Sequence, residues 1–219
     1  MKTGILVFIL TLAALPGFAE ENSLFKEGSD LYRYKKYEEA RVKFEQALAL
    51  EPKDARIYFY LGVTYRMLNQ PGKAIELLQK GLQSATSYKY LFLYELGNCY
   101  DISGLKDYSI ATKYYTMSIA EKNTFALPYL NRANIEMLFK QFKEAKTDYI
   151  TYLKLYPDSP QRPEIEKLLA ILDTDMANQQ KLLDSIMNSL RNASTDTQTD
   201  SAGTEGFKET EKEDEDILD

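Results

Sequence analysis

An internal repeat constrains this chain more than any other feature of its sequence. Ala40, Ala74, Ala111 and Ala145 are spaced 34, 37 and 34 residues apart. Four residues after each stands a large apolar side chain: Phe44, Leu78, Tyr115 and Tyr149. Three residues further come Ala47, Gly81, Ser118 and Tyr152. Upstream, Gly28, Gly62 and Gly97 are each followed after three residues by Leu31, Tyr65 and Tyr100, and Pro52 and Pro157 stand twelve residues after Ala40 and Ala145.

Within each unit, apolar residues recur at three and four, as in Ile57, Tyr60, Leu61, Tyr65 and Leu68, which is the helical period. Each unit holds two such stripes separated by a turn signal: Tyr34-Lys35-Lys36, Asn69-Gln70-Pro71-Gly72, Ser103-Gly104 and Lys140-Gln141. The glycines let paired helices approach closely, and Pro52 and Pro157 end the second helix by removing an amide donor. A lone helix pair cannot bury both of its apolar faces, so successive pairs must stack.

The period and the order of markers resemble the tetratricopeptide repeat (TPR) family. Unit one carries Leu24, Gly28, Leu31, Tyr37, Ala40, Phe44, Ala47 and Pro52 at the family's marker positions. Unit two carries Tyr58, Leu61, Gly62, Tyr65, Ala74, Leu78 and Gly81, and unit three carries Leu93, Leu96, Gly97, Tyr100, Tyr108, Ala111, Tyr115 and Ser118 around an insertion near Gly104. Unit four diverges in its first helix, with Tyr129 and Ala133, and returns to the pattern with Phe142, Ala145, Tyr149 and Pro157. The resemblance implies an all-α, right-handed superhelical solenoid. Its four helix-turn-helix repeats lie at about 21–54, 55–88, 90–125 and 126–159, and the first helix of each lines a concave wall.

The regions outside 20–159 differ in kind. Lys2, the apolar run Ile5 to Leu15 and the small residues Gly17 and Ala19 follow the order of a secretory signal over 1–19, cleaved after Ala19. The expected mature protein is exported, to a periplasm or beyond, without an integral membrane span. Residues 160–193 are expected to form a capping or oligomerising helix. There Ile165, Leu169, Leu172, Met176, Gln179, Leu183, Ile186 and Leu190 make a heptad seam, and 164–191 offers a route to a homo-oligomer. Leu168, Ile171, Leu182 and Met187 widen the stripe, which favours packing on the array. From Asp196 onward there are 10 acidic and 2 basic residues, so that 194–219 reads as a disordered acidic tail. The whole chain carries −6, so everything before Asp196 carries +2 and the acidity belongs to the tail.

The composition removes several chemistries. With no histidine in 219 residues, Ser-His-Asp and Cys-His catalysis and imidazole metal ligation are excluded. A single cysteine, Cys99, excludes an intrachain disulfide, and its place in the first helix of unit three reads as inert core. No phosphate loop, zinc motif or nucleophile elbow appears, so no catalytic residue, metal or cofactor is assigned. The acidic balance argues against nucleic acid as a partner.

What the resemblance implies for function is a concave groove that binds a peptide or protein. Its groove positions fall on Phe25, Tyr32 and Arg33 of unit one, and on Arg56, Phe59 and Arg66 of unit two. Units three and four supply Tyr94, Asn98 and Asn134, the two asparagines being placed to hydrogen-bond a peptide main chain. TPR domains that hold acidic chaperone C-termini use a Lys, Arg and Asn clamp. Here Phe25, Ser29, Leu91 and Asn131 occupy matching positions, and the required charge is largely missing. The expectation is a non-enzymatic adaptor, exported, with envelope assembly as its expected setting. A small-ligand-binding TPR protein and an accessory subunit of an envelope enzyme complex are the alternatives.

Overall fold

The four intra-unit turns share one backbone device. In a computed structural model, which describes residues 16–101 and 106–173 and side chains from Ser23 onward, Lys35, Asn69, Lys106 and Lys140 adopt the left-handed conformation, with φ between 48° and 58°. Each lies five residues before a repeat alanine. The following amide closes back on the helix: Lys36 N donates to Leu31 O, Gln70 N to Tyr65 O, Asp107 N to Tyr100 O and Gln141 N to Glu136 O, at 2.8–2.9 Å. These closures, six residues long in units one, two and four and eight in unit three with its insertion, satisfy carbonyls that the helix end would orphan.

Nine helices result among the described residues. They are α1 (Pro16–Arg33), α2 (Tyr37–Leu50), α3 (Ala55–Met67), α4 (Pro71–Ser84), α5 (Lys89–Asp101), α6 (Tyr108–Glu121), α7 (Leu127–Leu138), α8 (Phe142–Leu155) and α9 (Arg162–Leu172). Starts are marked chemically. The Asp54 carboxylate accepts from Arg56 N at 2.8 Å and Asp107 caps α6 through Ile110 N, while Pro71 opens α4 where no amide partner is needed.

Inside each hairpin the repeat glycine sets the helix separation. A Cβ on Gly28 would lie 2.7 Å from the Phe44 ring, one on Gly62 2.7 Å from Leu78 Cγ, and one on Gly97 2.4 Å from the Tyr115 ring. In unit four Ala133, fully buried, stands at the equivalent place. The residues seven after the later alanines make further close contacts. Gly81 admits Tyr58 of its own hairpin and Phe92 of the next, Ser118 Oγ donates to Tyr90 O within its hairpin at 2.7 Å, and Tyr152 Oη bonds Ser159 Oγ, ahead of α9, at 2.7 Å. Helices pack in chain order from α1 to α9, with α1 also touching α3 and α3 touching α5. The array is thus a stack of four hairpins whose odd-numbered helices adjoin on one side.

The buried core follows the apolar stripes. Phe44, Leu78, Tyr115 and Tyr149 have no exposed surface, and burying each such side chain contributes about 1.5–3 kcal/mol. At the far end α9 buries Ile165, Leu168 and Ile171 against the cluster that holds Tyr149, Tyr152 and Leu153. Arg162 fastens it by donating to Pro157 O and Leu153 O. The buried positions of α9 thus combine one residue of the heptad seam, Ile165, with two of the widened stripe, Leu168 and Ile171; Leu169 and Leu172 of the seam are only half-buried. Residues 174–193 and the acidic tail lie outside the described residues.

The same holds for residues 1–15 of the expected signal. The expected cleavage point after Ala19 falls within α1, and removal there would leave Gly28 and the rest of its packing face in place. Among the described residues no helix is long and apolar enough to cross a membrane.

Candidate peptide groove

The inner wall is built from α1, α3, α5 and α7. Its first stretch is aromatic. Phe25 is half-buried, with its ring 5.9 Å from Phe44 and 5.5 Å, edge-on, from Tyr60, and the Arg56 guanidinium lies 5.3 Å over it. Tyr32 is buried edge-on against Tyr37 and Tyr60. Phe59 has no exposed surface and meets Phe92 edge-on at 5.2 Å. Two expected groove cations stand at the rim: Arg33 is exposed and paired with Asp30 of its own helix, and Arg56 is paired with Asp54 at 2.8 Å. Such exposed pairs add little to stability.

The third arginine is different. Arg66 Nε donates to Glu95 Oε2 at 2.8 Å, with both side chains buried. Burial works to lower the Arg66 pKa, but the Glu95 carboxylate outweighs it and holds the guanidinium above its usual range. Glu95 Oε1 is buried without a partner. Beside this pair a neutral network ties α5 to α6 and α7. Tyr115 Oη and Asn131 Nδ2 both donate to Asn98 Oδ1 at 2.9 Å, and Asn131 Nδ2 also reaches Tyr94 Oη at 3.3 Å. Asn134 stands apart from this cluster and accepts from Tyr149 Oη at 2.6 Å.

The structure therefore brings Arg66, Tyr94 and Asn98 together at the middle of the wall and distributes Phe25, Tyr32, Arg33 and Arg56 towards its first end. Asn134 lies towards the other. The carbonyls of both asparagines already accept tyrosine protons, so the contacts left for a main chain are their amide groups. Sequence reading left out Glu95 and Tyr115 as members of this cluster. A carboxylate inside the otherwise apolar run Tyr90 to Leu96 was the available signal.

The cluster holds its groups in their resting protonation states. Burial pushes the Cys99 thiol up to about 12, so at neutral pH it is not a thiolate nucleophile. Burial likewise raises Tyr94 and Tyr115, and lifts Asp101 to about 6. What the wall offers is shape, aromatic surface and hydrogen bonds. Among the described residues no group of acidic and cysteine side chains is placed to hold a metal ion.

Comparison with known proteins agrees with this geometry. Residues 28–69 match the family model described as TPR repeat. The Hsp70-Hsp90 organising protein of Plasmodium falciparum (isolate 3D7) is 27% identical over 128 residues, which is 57% of this chain and 22% of the relative. The chain thus spans about a fifth of that relative's length. Among solved structures, a crystal structure of MamA matches with a TM-score of 0.57 at 22% identity, covering 65% of this chain and 80% of MamA. YrrB, described as a TPR protein with an unusual peptide-binding site, matches with a TM-score of 0.57 at 16% identity, covering 80% of this chain and 91% of YrrB. At these identities the structural likeness establishes the fold.

Proposed function

We propose that this chain, a protein built on tetratricopeptide repeats, is a non-enzymatic adaptor that takes a peptide or protein segment along the wall formed by α1, α3, α5 and α7. The observation that carries the reading is the wall itself. Aromatic side chains run along it, with two cations at the rim, a third, Arg66, neutralised by Glu95 at its middle, and a polar cluster around Asn98 beside that pair. Tyrosine and arginine in such a setting combine contact area with a polar tip, the composition of protein-binding hot spots. The organising role named for the Plasmodium relative and the peptide site named for YrrB support the same class of work. The acidic C-terminus of a chaperone is not the ligand we propose, because Phe25, Ser29, Leu91 and Asn131 supply one amide and no cation at the clamp positions. Export to an envelope compartment is part of the proposal and is supported by the signal-like order of Lys2, Ile5 to Leu15 and Ala19.

Site-specific photo-crosslinking in the native host tests it. A photoreactive residue at the rim, replacing Arg33, Arg56 or Leu138, is expected to yield the same partner adduct from all three positions. Val42, Met117 and Ile150, exposed on the second helices of their units, serve as comparison. Adducts from these outer positions alone would overturn the assignment of the groove.

A further inference from the structure

The tips of the hairpins carry apolar side chains that their turns do not require. Tyr34, Leu68 and Phe139 each stand immediately before a left-handed residue, Lys35, Asn69 and Lys140, where α1, α3 and α7 end and the chain reverses. The apolar contact that accompanies such helix ends joins residues on either side of this place and leaves its own side chain unused. Leu68 is half-buried, but Tyr34 is 77% and Phe139 57% exposed, more than any other large apolar side chain among the described residues. Phe139 leans edge-on against Tyr108 of the preceding hairpin, with ring centroids 5.9 Å apart. One exposed apolar residue is ordinary on a protein surface; the same tip position filled by one in three hairpins is a pattern.

Because the odd-numbered helices adjoin side by side, their C-terminal tips lie along one edge of the stack. That edge is basic. Lys35, Lys36, Lys73, Lys140 and Lys143 are exposed on it. Of the tip carboxylates, Glu38 is paired with Arg41 at 3.0 Å and Glu39 with Lys36 at 3.4 Å, and at the fourth tip Lys140 and Lys143 outnumber Glu144. The opposite edge also exposes apolar side chains, Leu50 and Tyr156, but they stand next to the carboxylates Glu51 and Asp158.

We infer that the tip edge rests on an anionic lipid surface, with Tyr34 and Phe139 entering the boundary between headgroups and acyl chains and the lysines meeting headgroup phosphates. The inference does not rest on the adaptor reading and leaves the inner wall free. Attachment of this kind sums buried apolar area and the attraction of cations to anionic headgroups, and the tips supply both. Tyrosine and phenylalanine suit the place, since an aromatic ring buries its body while a hydroxyl keeps to the wet side. Lysine stems can lie along the apolar layer with their ammonium groups above it. An acidic peptide would satisfy the lysines alone. The aromatic side chains project from hairpin ends a whole repeat apart, so a flat, fluid partner engages several tips at once without a shaped pocket for each.

The chain has no tryptophan, so one introduced indole reports on its own position alone. The full-length variants Tyr34→Trp and Phe139→Trp are titrated with vesicles of equal parts phosphatidylcholine and phosphatidylglycerol. Their emission is expected to move to the blue and to be quenched by brominated acyl chains. Tyr156→Trp on the opposite edge and Ile150→Trp on a second helix, both at exposed positions, are expected to stay unchanged, as is Phe139→Trp with phosphatidylcholine alone. Adding Lys140→Glu and Lys143→Glu to Phe139→Trp should raise the lipid concentration for half-maximal shift at least about tenfold. All four reporter positions are exposed, so the indoles do not enter the core. No shift at either tip, equal shifts at the comparison positions, an equal shift with phosphatidylcholine alone, or indifference to the charge reversals overturns the inference. So does a shift produced as fully by soluble poly-glutamate as by vesicles, because the edge then serves an acidic peptide.

Discussion

Gly97→Ala is expected to damage the array out of proportion to the single methyl group it adds. The new Cβ would stand 2.4 Å from Tyr115 Cε1 and 2.6 Å from Cδ1, where ordinary contact begins at 3.4 Å. The ring must therefore retreat by about 1 Å. Tyr115 is fully buried, and its hydroxyl is anchored to Asn98 Oδ1 at 2.9 Å, so a shift of that size breaks the hydrogen bond or moves α6. Overpacking costs about 1–3 kcal/mol and leaving a buried polar group unpaired about 1–3 kcal/mol, which together place the loss at about 2–6 kcal/mol. For a folded body of this size that lowers the melting midpoint by roughly 4–24 °C. The assay is thermal and urea unfolding of four chains: native, Gly97→Ala, Tyr115→Leu and the double variant. Removing the ring removes the clash, so the double variant should recover at least about 1 kcal/mol relative to additivity. Gly72→Ala, where a Cβ meets nothing within 4 Å, is the control and should be neutral or slightly stabilising. A loss below about 0.5 kcal/mol for Gly97→Ala, or strict additivity in the cycle, would refute the claim that this glycine sets the α5–α6 distance.

Three further outcomes follow from the same geometry. Lys140→Gly should raise the urea midpoint by up to about 1 kcal/mol equivalent, because a left-handed conformation costs a non-glycine residue about 1–2 kcal/mol and glycine returns about 0.5–1 kcal/mol of that as entropy. Arg66→Met should cost about 3–5 kcal/mol by leaving Glu95 buried without its counter-charge, and Arg66→Met/Glu95→Leu should recover most of it; denaturant unfolding of both variants is the check. Burial raises Glu136 to about 7 against the pull of Arg132, and Asp101 to about 6, so the folded state binds protons that the unfolded state has released. Stability should then rise as pH falls from about 7.5 to about 5, by an amount of order 1 kcal/mol, and Glu136→Gln should flatten that slope in urea titrations at the two pH values.

The central cluster explains why a groove legible at the level of residue types was not legible as a site. Arg66, Tyr94 and Asn98 were assigned as surfaces waiting for a ligand because their positions in the repeat point inward. In the folded array each is already engaged, with Glu95, Asn131 and Tyr115. Those partners lie 17 to 37 residues away in the chain, and which of them meet depends on how the helices are set against one another. The buried pair favours one stacking register over others, because any slip strands a charge away from water.

Repeat spacing alone decided the helical class, the pairing of helices and the glycines at their crossings, because a 34-residue unit with two apolar stripes has few ways to bury both. The left-handed turn residues were beyond it: three of the four are lysines, which carry no local preference for that conformation and adopt it only because the next helix must turn back. Tertiary structure likewise decided which inward-facing groups remain available. Whether a side chain meets solvent or a neighbour is set by contacts between units, and a pattern that repeats identically within every unit contains no information about them.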